Sequence, residues 1–156
     1  MLEENERFAE VFDRSRLTAV PLSELAIVAC MDARIEVEDA LGLRVGDAHI
    51  IRNAGALATE DVVRSLVVSQ QLLGTQEIVV IAHTQCGLHN ATEDALRTRV
   101  LASTGTATDL VFGAFGDLDA TVREQADVLR THPALQRVPV HAFVYEVETG
   151  RLRPVE

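Results

Sequence analysis

Short apolar runs alternate along this chain with longer segments that are apolar on one side only. Four of the runs are rich in Val and Ile, as buried strands are, and they cover Leu25–Cys30, 48–52, Glu77–His83 and 138–147. Strands that alternate with amphipathic helices usually pair in parallel. The pattern therefore predicts an α/β fold with a central parallel sheet of about four strands flanked by helices. Residues 148–151 predict a turn that could start a short hairpin.

Two segments between the predicted strands have clear helix signals. Thr59 can cap a helix whose first turn contains Glu60 and Asp61, where negative charge suits the helix dipole, and Gly74 can end it. Asp117 can open a second helix. Both segments place apolar residues at helical spacing, so each predicts a helix that packs on the sheet.

Three further segments have shorter patterns. Phe8, Val11 and Phe12 have the spacing of a helix near the N-terminus, and residues 92–101 predict another helix. Residues 103–109 are small and polar, which is typical of a mobile surface loop. The sequence contains no internal repeat that would indicate a repeat architecture.

Length and charge restrict the classes of function. The chain has 156 residues, of which 47% are hydrophobic, so residues 1–156 can form a single domain with its own core. The net charge of −10 and the aromatic content of 4% argue against nucleic-acid binding. The acidic N-terminal segment does not resemble a secretion signal, and every apolar run is shorter than the roughly 20 residues that span a bilayer. We therefore expect a cytoplasmic protein that binds neither nucleic acid nor membranes.

Two cysteines and one histidine lie where they could meet. Cys30 ends the first predicted strand, His83 ends the third, and Cys86 lies three residues further on. If the two strands are neighbours in a parallel sheet, these side chains emerge at the edge where α/β sheets bind ligands. Two thiolates and one imidazole would leave one position of a tetrahedral zinc site for water, as catalytic sites do. Alternatively, both cysteines are small buried thiols and His83 is a hydrogen-bonded loop residue.

Asp32 and Arg34 follow Cys30 immediately after the first predicted strand. Alternate residues of an extended segment face the same side, so the acid and the base can form a pair beside the thiol. An ordinary surface ion pair would also explain the pattern, although such a pair contributes only about 0–1 kcal/mol to stability. We interpret the two residues as candidates for site chemistry.

Three short motifs occur in order along the chain. Residues 30–34, 52–55 and 83–87 read Cys-Met-Asp-Ala-Arg, Arg-Asn-Ala-Gly and His-Thr-Gln-Cys-Gly. They resemble, in order and spacing, the C-x-D-x-R, R-N-A-G and H-x-x-C-G motifs of the β-class carbonic anhydrases, most closely the short bacterial branch. The chain departs from the family at Ala33, where serine is common, and at Gln85, where relatives of this branch tend to have aspartate.

The resemblance implies a zinc ion (Zn2+) bound by Cys30, His83 and Cys86, with Asp32 and Arg34 as catalytic residues. It implies reversible hydration of carbon dioxide to bicarbonate by a zinc-bound hydroxide, in a homodimer or higher homo-oligomer. Hydrolysis of carbonyl sulfide or carbon disulfide at the same site is an alternative that the family also contains. A zinc-stabilised dimeric module without useful turnover is a third hypothesis, and the intact Asp32 and Arg34 argue against it.

The segment after the second predicted strand is expected to shape the pocket. Asn53, Ala54 and Gly55 should form a turn there, and the glycine would allow a close approach of the backbone. Gly87 completes the third motif and is placed in the same pocket by the resemblance. These four residues are therefore candidates for the pocket wall.

Four histidines lie outside the motifs. His49 and His141 fall in predicted strands and are expected to be packed or hydrogen-bonded, and His132 is expected at a helix end. His89 lies three residues past Cys86, where it could relay protons between the metal-bound water and solvent. The alternative for His89 is an ordinary exposed loop histidine.

Overall fold

A mostly parallel sheet forms the centre of the protein. The computed structural model describes residues 1–156. Its strands are β1 (Leu25–Cys30), β2 (Ala48–Asn53), β3 (Glu77–His83), β4 (Val140–Glu146) and β5 (Arg151–Pro154), in the spatial order β2-β1-β3-β4-β5. The first four strands are parallel, and β5 pairs antiparallel with β4. The predicted α/β fold is confirmed, and the hairpin indicated after the fourth strand adds a fifth.

Helices flank this sheet. They are α1 (Leu2–Glu10), α2 (Val37–Leu41), α3 (Glu60–Leu73), α4 (Glu93–Thr104) and α5 (Leu118–Thr131), and Ala54–Ala56 forms a 3-10 turn. The predicted ends of α3 are confirmed, because the Thr59 hydroxyl accepts a hydrogen bond from the Val62 N–H and Gly74 has the left-handed φ of 76°. The Asp117 carboxylate caps α5 in the same way by accepting from the Ala120 N–H.

Several predicted boundaries differ in the structure, including small shifts at the ends of β2, β4 and α4. The N-terminal helix ends at Glu10 and therefore excludes Val11 and Phe12. None of its residues is buried, and apolar spacing without tertiary packing does little to extend a short helix. The loop predicted over 103–109 begins only at Gly105, because the first residues of that range belong to α4.

The core lies between the sheet and the helices that pack on it. Residues 26–29 of β1 are completely buried, and β3 is buried along almost its whole length. α3 and α5 turn their apolar faces into the same cluster, in which Leu66 and Leu129 are almost inaccessible to solvent. None of the helices combines the length and the hydrophobicity needed to cross a membrane.

The strand order brings three strand ends to one rim. β1 lies between β2 and β3, so the chain leaves β1 toward one side for β2 and then crosses to the other side for β3. Parallel pairing aligns Ala29 with Ile81 and Cys30 with Asn53. Such a reversal of strand order creates the crevice in which α/β sheets bind ligands. Cys30 and His83 therefore end neighbouring strands at this crevice.

Residues 105–116, which we call the crossing segment, join α4 to α5 beside the loop that follows β3. The Glu93 carboxylate accepts hydrogen bonds of 2.9–3.0 Å from the three consecutive N–H groups of residues 112–114. Phe115 then donates its N–H to the Leu88 carbonyl over 3.2 Å. The Glu93 carboxylate thus ties the end of the crossing segment to α4, and the bond between Phe115 and Leu88 ties it to the loop that follows β3.

We expect Glu93→Gln to lower the thermal unfolding midpoint at neutral pH. Hydrogen bonds from backbone N–H groups hold the pKa of Glu93 below its ordinary value, and the bond from Phe112 has the largest effect. A depressed folded-state pKa stabilises the fold above the unfolded glutamate pKa of about 4.3, and the stabilisation is lost as the pH falls through the lower folded value. The difference between the two proteins should therefore shrink below about pH 4.

Asp94→Asn is the matched control, because Asp94 lies in the same helical turn but is 96% exposed. Asp94 makes only an exposed pair with Arg97, so the midpoint of Asp94→Asn should differ from that of wild type by much less than the midpoint of Glu93→Gln does. Equal midpoints of Glu93→Gln and wild type at pH 7 would contradict the anchoring role of Glu93.

Candidate metal centre

Three side chains converge at the rim of the sheet. Cys30 ends β1, His83 ends β3, and Cys86 lies in the loop that follows. Their ligand atoms all lie within 4.8 Å of one another, and their exposures are only 4%, 1% and 8%. Ligands around one tetrahedral zinc ion are separated by roughly 3.5–4 Å, because zinc bonds are about 2.0–2.3 Å long. The predicted neighbourhood of the three residues is therefore present in the fold.

The hydrogen bonding of His83 fits a metal ligand. Its Nδ1 lies 2.9 Å from the Thr84 carbonyl, which can only accept, so Nδ1 is the protonated nitrogen. Its Nε2 is buried without any hydrogen-bond partner. A buried unpaired lone pair is costly unless another group, such as a metal ion, accepts it. With two sulfur donors beside it, this nitrogen completes a donor set that suits zinc.

The environment of the two thiols favours ionisation of one of them. A hydrogen bond from Cys86, followed by interactions with His83 and with the Gly55 N–H at 3.4 Å, lowers the pKa of Cys30. The same bond to Cys30, together with burial, raises the pKa of Cys86. Because metal binding requires thiolates, the two thiols as a pair are prepared to supply the first of them, and binding of a metal would release the second proton.

The predicted acid and base form a two-pronged pair beside these thiols. Arg34 donates from Nε to Asp32 Oδ1 over 2.9 Å and from Nη2 to Asp32 Oδ2 over 2.8 Å. This pairing is the largest of the effects that lower the pKa of Asp32. The carboxylate Oδ2 also lies 3.8 Å from His83 Nε2, so a charged Asp32 faces the candidate metal position.

Arg52 supports the same segment and was not predicted as a site residue. Its Nε donates to the Cys30 carbonyl over 3.0 Å, and its Nη2 donates to the Asp32 carbonyl over 2.6 Å. These bonds fix the backbone between a candidate metal ligand and the acid. The sequence signal was available, because Arg52 opens the Arg-Asn-Ala-Gly motif.

The predicted turn after β2 is present. Asn53 donates from Nδ2 to the Leu57 carbonyl over 2.8 Å and accepts from the Leu57 N–H over 2.9 Å, which closes the 3-10 turn that contains Ala54. Gly55 has a φ of 84°, and a Cβ there would lie 3.0 Å from Leu88 Cδ1. A glycine is therefore required for the close approach that brings the Gly55 N–H to the sulfur of Cys30.

Gly87 differs from Gly55. A Cβ built on Gly87 would meet no atom within 4 Å, and the residue has no positive φ. Neither space nor backbone conformation within this chain requires a glycine at this position.

A cavity of about 850 Å³ lies nearby, bordered by Ala33 and Arg52, but none of the three candidate metal ligands lines it.

The remaining histidines have structural partners. His49 contacts the Ser69 hydroxyl at 2.7 Å and the Ala19 carbonyl at 2.8 Å, and His141 pairs with Glu77 at 3.1 Å. These contacts confirm the predicted hydrogen bonding. His132 lies at the C-terminal end of α5, as predicted.

His89 is held beside the crossing segment. Its Nε2 lies 3.1 Å from the Gly116 carbonyl, and its ring stacks on Phe115 with centroids 5.4 Å apart. It does not belong to the group of side chains that could hold a metal. These contacts give His89 a packing role in the loop. Neither of them connects His89 to the candidate metal position, so they do not support the proton-relay hypothesis.

Comparison with known proteins assigns the family. A family model described as carbonic anhydrase matches residues 25–111. β-Carbonic anhydrase 1 of Mycobacterium tuberculosis is 38% identical over 155 residues, covering 99% of this chain and 94% of that protein. A carbon disulfide hydrolase of Acidithiobacillus thiooxidans is 40% identical over 152 residues, covering 83% of this chain and 76% of that protein.

A solved structure extends the similarity to the whole fold. The crystal structure of carbonic anhydrase from Streptococcus mutans superposes with a TM-score of 0.94 at 39% identity, covering 99% of this chain and 95% of that one. Both the sequence and the structural similarity thus span the strands, the rim and the three converging side chains. The chain belongs to the β-carbonic anhydrase family, an enzyme family of lyases.

Proposed function

We propose that this protein catalyses the zinc-dependent, reversible hydration of carbon dioxide to bicarbonate. Cys30, His83 and Cys86 would hold the zinc ion, and Asp32 and Arg34 would be the catalytic residues. The observation that supports this proposal most directly is the unpartnered Nε2 of His83, which is buried among two thiols while Asp32 is paired with Arg34. Three protein donors leave a fourth position for water, as in catalytic zinc sites.

The chain's own residues have distinct roles in this proposal. When bound, zinc would act as a Lewis acid, which lowers the pKa of a coordinated water from about 16 to about 7. Asp32 lies beside the three donors, with Oδ2 3.8 Å from His83 Nε2, and it would accept a hydrogen bond from that water and orient it toward carbon dioxide. Arg34 keeps Asp32 charged and directed, and Arg52 holds the backbone that presents it.

The pocket wall would need few polar contacts, because carbon dioxide is small and uncharged. We infer that Asn53, Ala54 and Gly55 shape this wall, since the turn they form lies against the sulfur of Cys30. Gly87, in the loop after β3, would border the same space. Charged clamps of the kind that bind large anionic substrates are unnecessary for such a reaction.

Hydrolysis of carbon disulfide or carbonyl sulfide is the second candidate. A carbon disulfide hydrolase is 40% identical to this chain, and a β-carbonic anhydrase is 38% identical, so identity does not separate the two activities. The intact Asp32–Arg34 pair argues against the third candidate, a zinc-stabilised module without turnover. We place carbon dioxide first because the family model and the similar full-length structure are those of carbonic anhydrases.

One zinc-loaded preparation should therefore be assayed on all three substrates. Stopped-flow measurement with a pH indicator follows carbon dioxide hydration, and sulfide release follows the two sulfur compounds. We expect kcat/KM for carbon dioxide to exceed the other values by at least about tenfold, which corresponds to about 1.4 kcal/mol of transition-state discrimination. Faster hydrolysis of carbon disulfide or carbonyl sulfide would establish the second candidate instead.

The metal ligands can be tested by zinc content. Wild type should bind about one zinc ion per chain, and Cys30→Ser, His83→Ala and Cys86→Ser should each lose most of it after dialysis, because each removes one donor. His141→Ala is the control, since its imidazole pairs with Glu77 away from the site. Full zinc retention by one folded ligand variant, measured by elemental analysis, would remove that residue from the set.

The pair beside the metal can be tested by turnover. Asp32→Asn should keep zinc but lose at least about 100-fold in kcat, because an amide accepts a hydrogen bond from the water less strongly than a carboxylate. Arg34→Ala should also keep zinc and lose activity, because the freed carboxylate can compete with water for the metal. Arg64→Ala is the control, since its pair with Asp61 is exposed.

Zinc content and kcat should be measured on the same samples of all three variants. Near wild-type turnover in zinc-loaded Asp32→Asn would exclude the catalytic role of Asp32. The same result in Arg34→Ala would show that Asp32 needs no partner to stay clear of the metal.

We infer that residues 1–156 act as one cytoplasmic domain that assembles as a homodimer or higher homo-oligomer. Met31 follows a candidate ligand directly and is 66% exposed, and α1 has no buried residue even though Phe8 belongs to it. Large apolar side chains left exposed near a site commonly mark an interface. A second copy of the chain would cover such side chains.

Sedimentation velocity at low micromolar concentration tests this assembly. We expect a single species with the mass of two chains or a small multiple of it, because the exposed apolar surface favours association. A monomer with full activity would contradict the inference.

A further inference from the structure

Arg34 has a second partner besides Asp32. Its Nη1 donates to Gln85 Oε1 over 3.3 Å, and its Nη2 donates to the Gln85 backbone carbonyl over 3.2 Å. The Gln85 side chain in turn donates from Nε2 to the Glu148 carboxylate over 2.8 Å. Gln85 lies in the loop after β3, and Glu148 lies in the turn between β4 and β5. A chain of hydrogen bonds thus connects the last hairpin to the acid beside the metal position.

The chemistry of the partners determines how this chain is oriented. A guanidinium group can only donate, so the amide oxygen of Gln85 must face Arg34. A carboxylate can only accept, so the amide NH2 group must face Glu148. Gln85 also has a φ of 55°, a left-handed conformation that is uncommon for residues other than glycine. This backbone conformation accompanies the second contact, in which the Gln85 carbonyl accepts from Arg34.

These hydrogen bonds matter because the Asp32–Arg34 pair is exposed to solvent. The side chain of Arg34 is 46% exposed, and water competes effectively for exposed ion pairs. Both members of the pair also lie in the short segment that follows β1. The contact with Gln85 attaches the guanidinium group to the loop after β3, and the bond from Gln85 to Glu148 extends this link to the turn between β4 and β5.

Holding the two loops together does not require these contacts. The Thr84 N–H already donates to the Tyr145 carbonyl over 3.0 Å, and the Val147 N–H donates to the Thr84 hydroxyl over 3.1 Å. The loop after β3 is therefore joined to the end of β4 without Gln85 or Glu148. What Gln85 adds is contact with Arg34, and what Glu148 adds is a partner for the Gln85 amide.

We propose that Gln85 and Glu148 are positioning residues. They hold the Arg34 guanidinium group in the orientation in which it donates to both carboxylate oxygens of Asp32. Glu148 fixes the amide orientation of Gln85, and Gln85 fixes Arg34. The catalytic consequence rests on the proposed function, in which a directed Asp32 is needed for hydration of carbon dioxide. The positioning itself does not depend on the substrate.

The test uses the zinc-loaded protein with four single variants. Gln85→Ala removes the bridge, and Glu148→Ala removes the group that orients it. Glu148→Gln is the conservative variant, because its amide oxygen can still accept from Gln85. Glu146→Ala is the matched control, since Glu146 lies in the same hairpin but accepts from Thr149 and does not contact Gln85. Gln85→Ala is also combined with Arg34→Ala.

Two quantities should be measured. We expect kcat/KM to fall about 3- to 10-fold in Gln85→Ala and Glu148→Ala, the range of one lost hydrogen bond, with less than about a twofold change in Glu148→Gln and Glu146→Ala. In protein labelled with 15N-arginine, solvent exchange of the Arg34 Nε–H should accelerate in the first two variants only. Adding Gln85→Ala to Arg34→Ala should change the residual rate by less than about twofold, because the two act in series.

Several results would overturn the proposal. Exchange of the Arg34 Nε–H at the wild-type rate in both Gln85→Ala and Glu148→Ala would show that Arg34 needs neither residue. An equal loss of rate from Gln85→Ala with and without Arg34 would show that Gln85 acts elsewhere. If the wild-type protein failed to hydrate carbon dioxide, the proposed function would fall, while the exchange rates would still decide the positioning.

Discussion

The parallel pairing of β1 with β3 is the constraint on which the site depends. Its register aligns Ala29 with Ile81, so Cys30 and His83 end neighbouring strands at one rim. A slip of one residue would turn each side chain to the other face of the sheet and separate the donors. The buried Val and Ile side chains of both strands keep that register, because slipping would disrupt their close packing in the core. Core packing and metal chemistry are thus linked through one strand pair.

Charge at the rim is balanced locally, although the protein as a whole is strongly acidic. Two thiolates would match the charge of a divalent zinc ion, and Arg34 matches Asp32. Arg52 adds donors to the carbonyls of the same segment without using the carboxylate. Asp32 Oδ2 accepts one of these bonds, from Arg34 Nη2, so it keeps a further lone pair for a water molecule.

Much of this arrangement could be predicted from the sequence, because the signals are local. The strands follow from Val and Ile runs, the α3 helix from its Thr59 cap, and the converging donors from three motifs in order. Two features could not be predicted, for physical reasons. α2 has only five residues, too few to show a helical period. The bond between Gln85 and Glu148 joins residues 63 positions apart, and only the completed sheet brings them together.

A crystal structure of the zinc-loaded protein near pH 8, with anomalous data at the zinc edge, tests the central claim most directly. The account predicts one zinc ion bonded to Cys30, His83 Nε2 and Cys86 at about 2.0–2.3 Å. It also predicts that Asp32 remains paired with Arg34 and that the fourth ligand is not a protein atom. Zinc at any other residues, or an Asp32 oxygen bonded to zinc with Arg34 released, would contradict it.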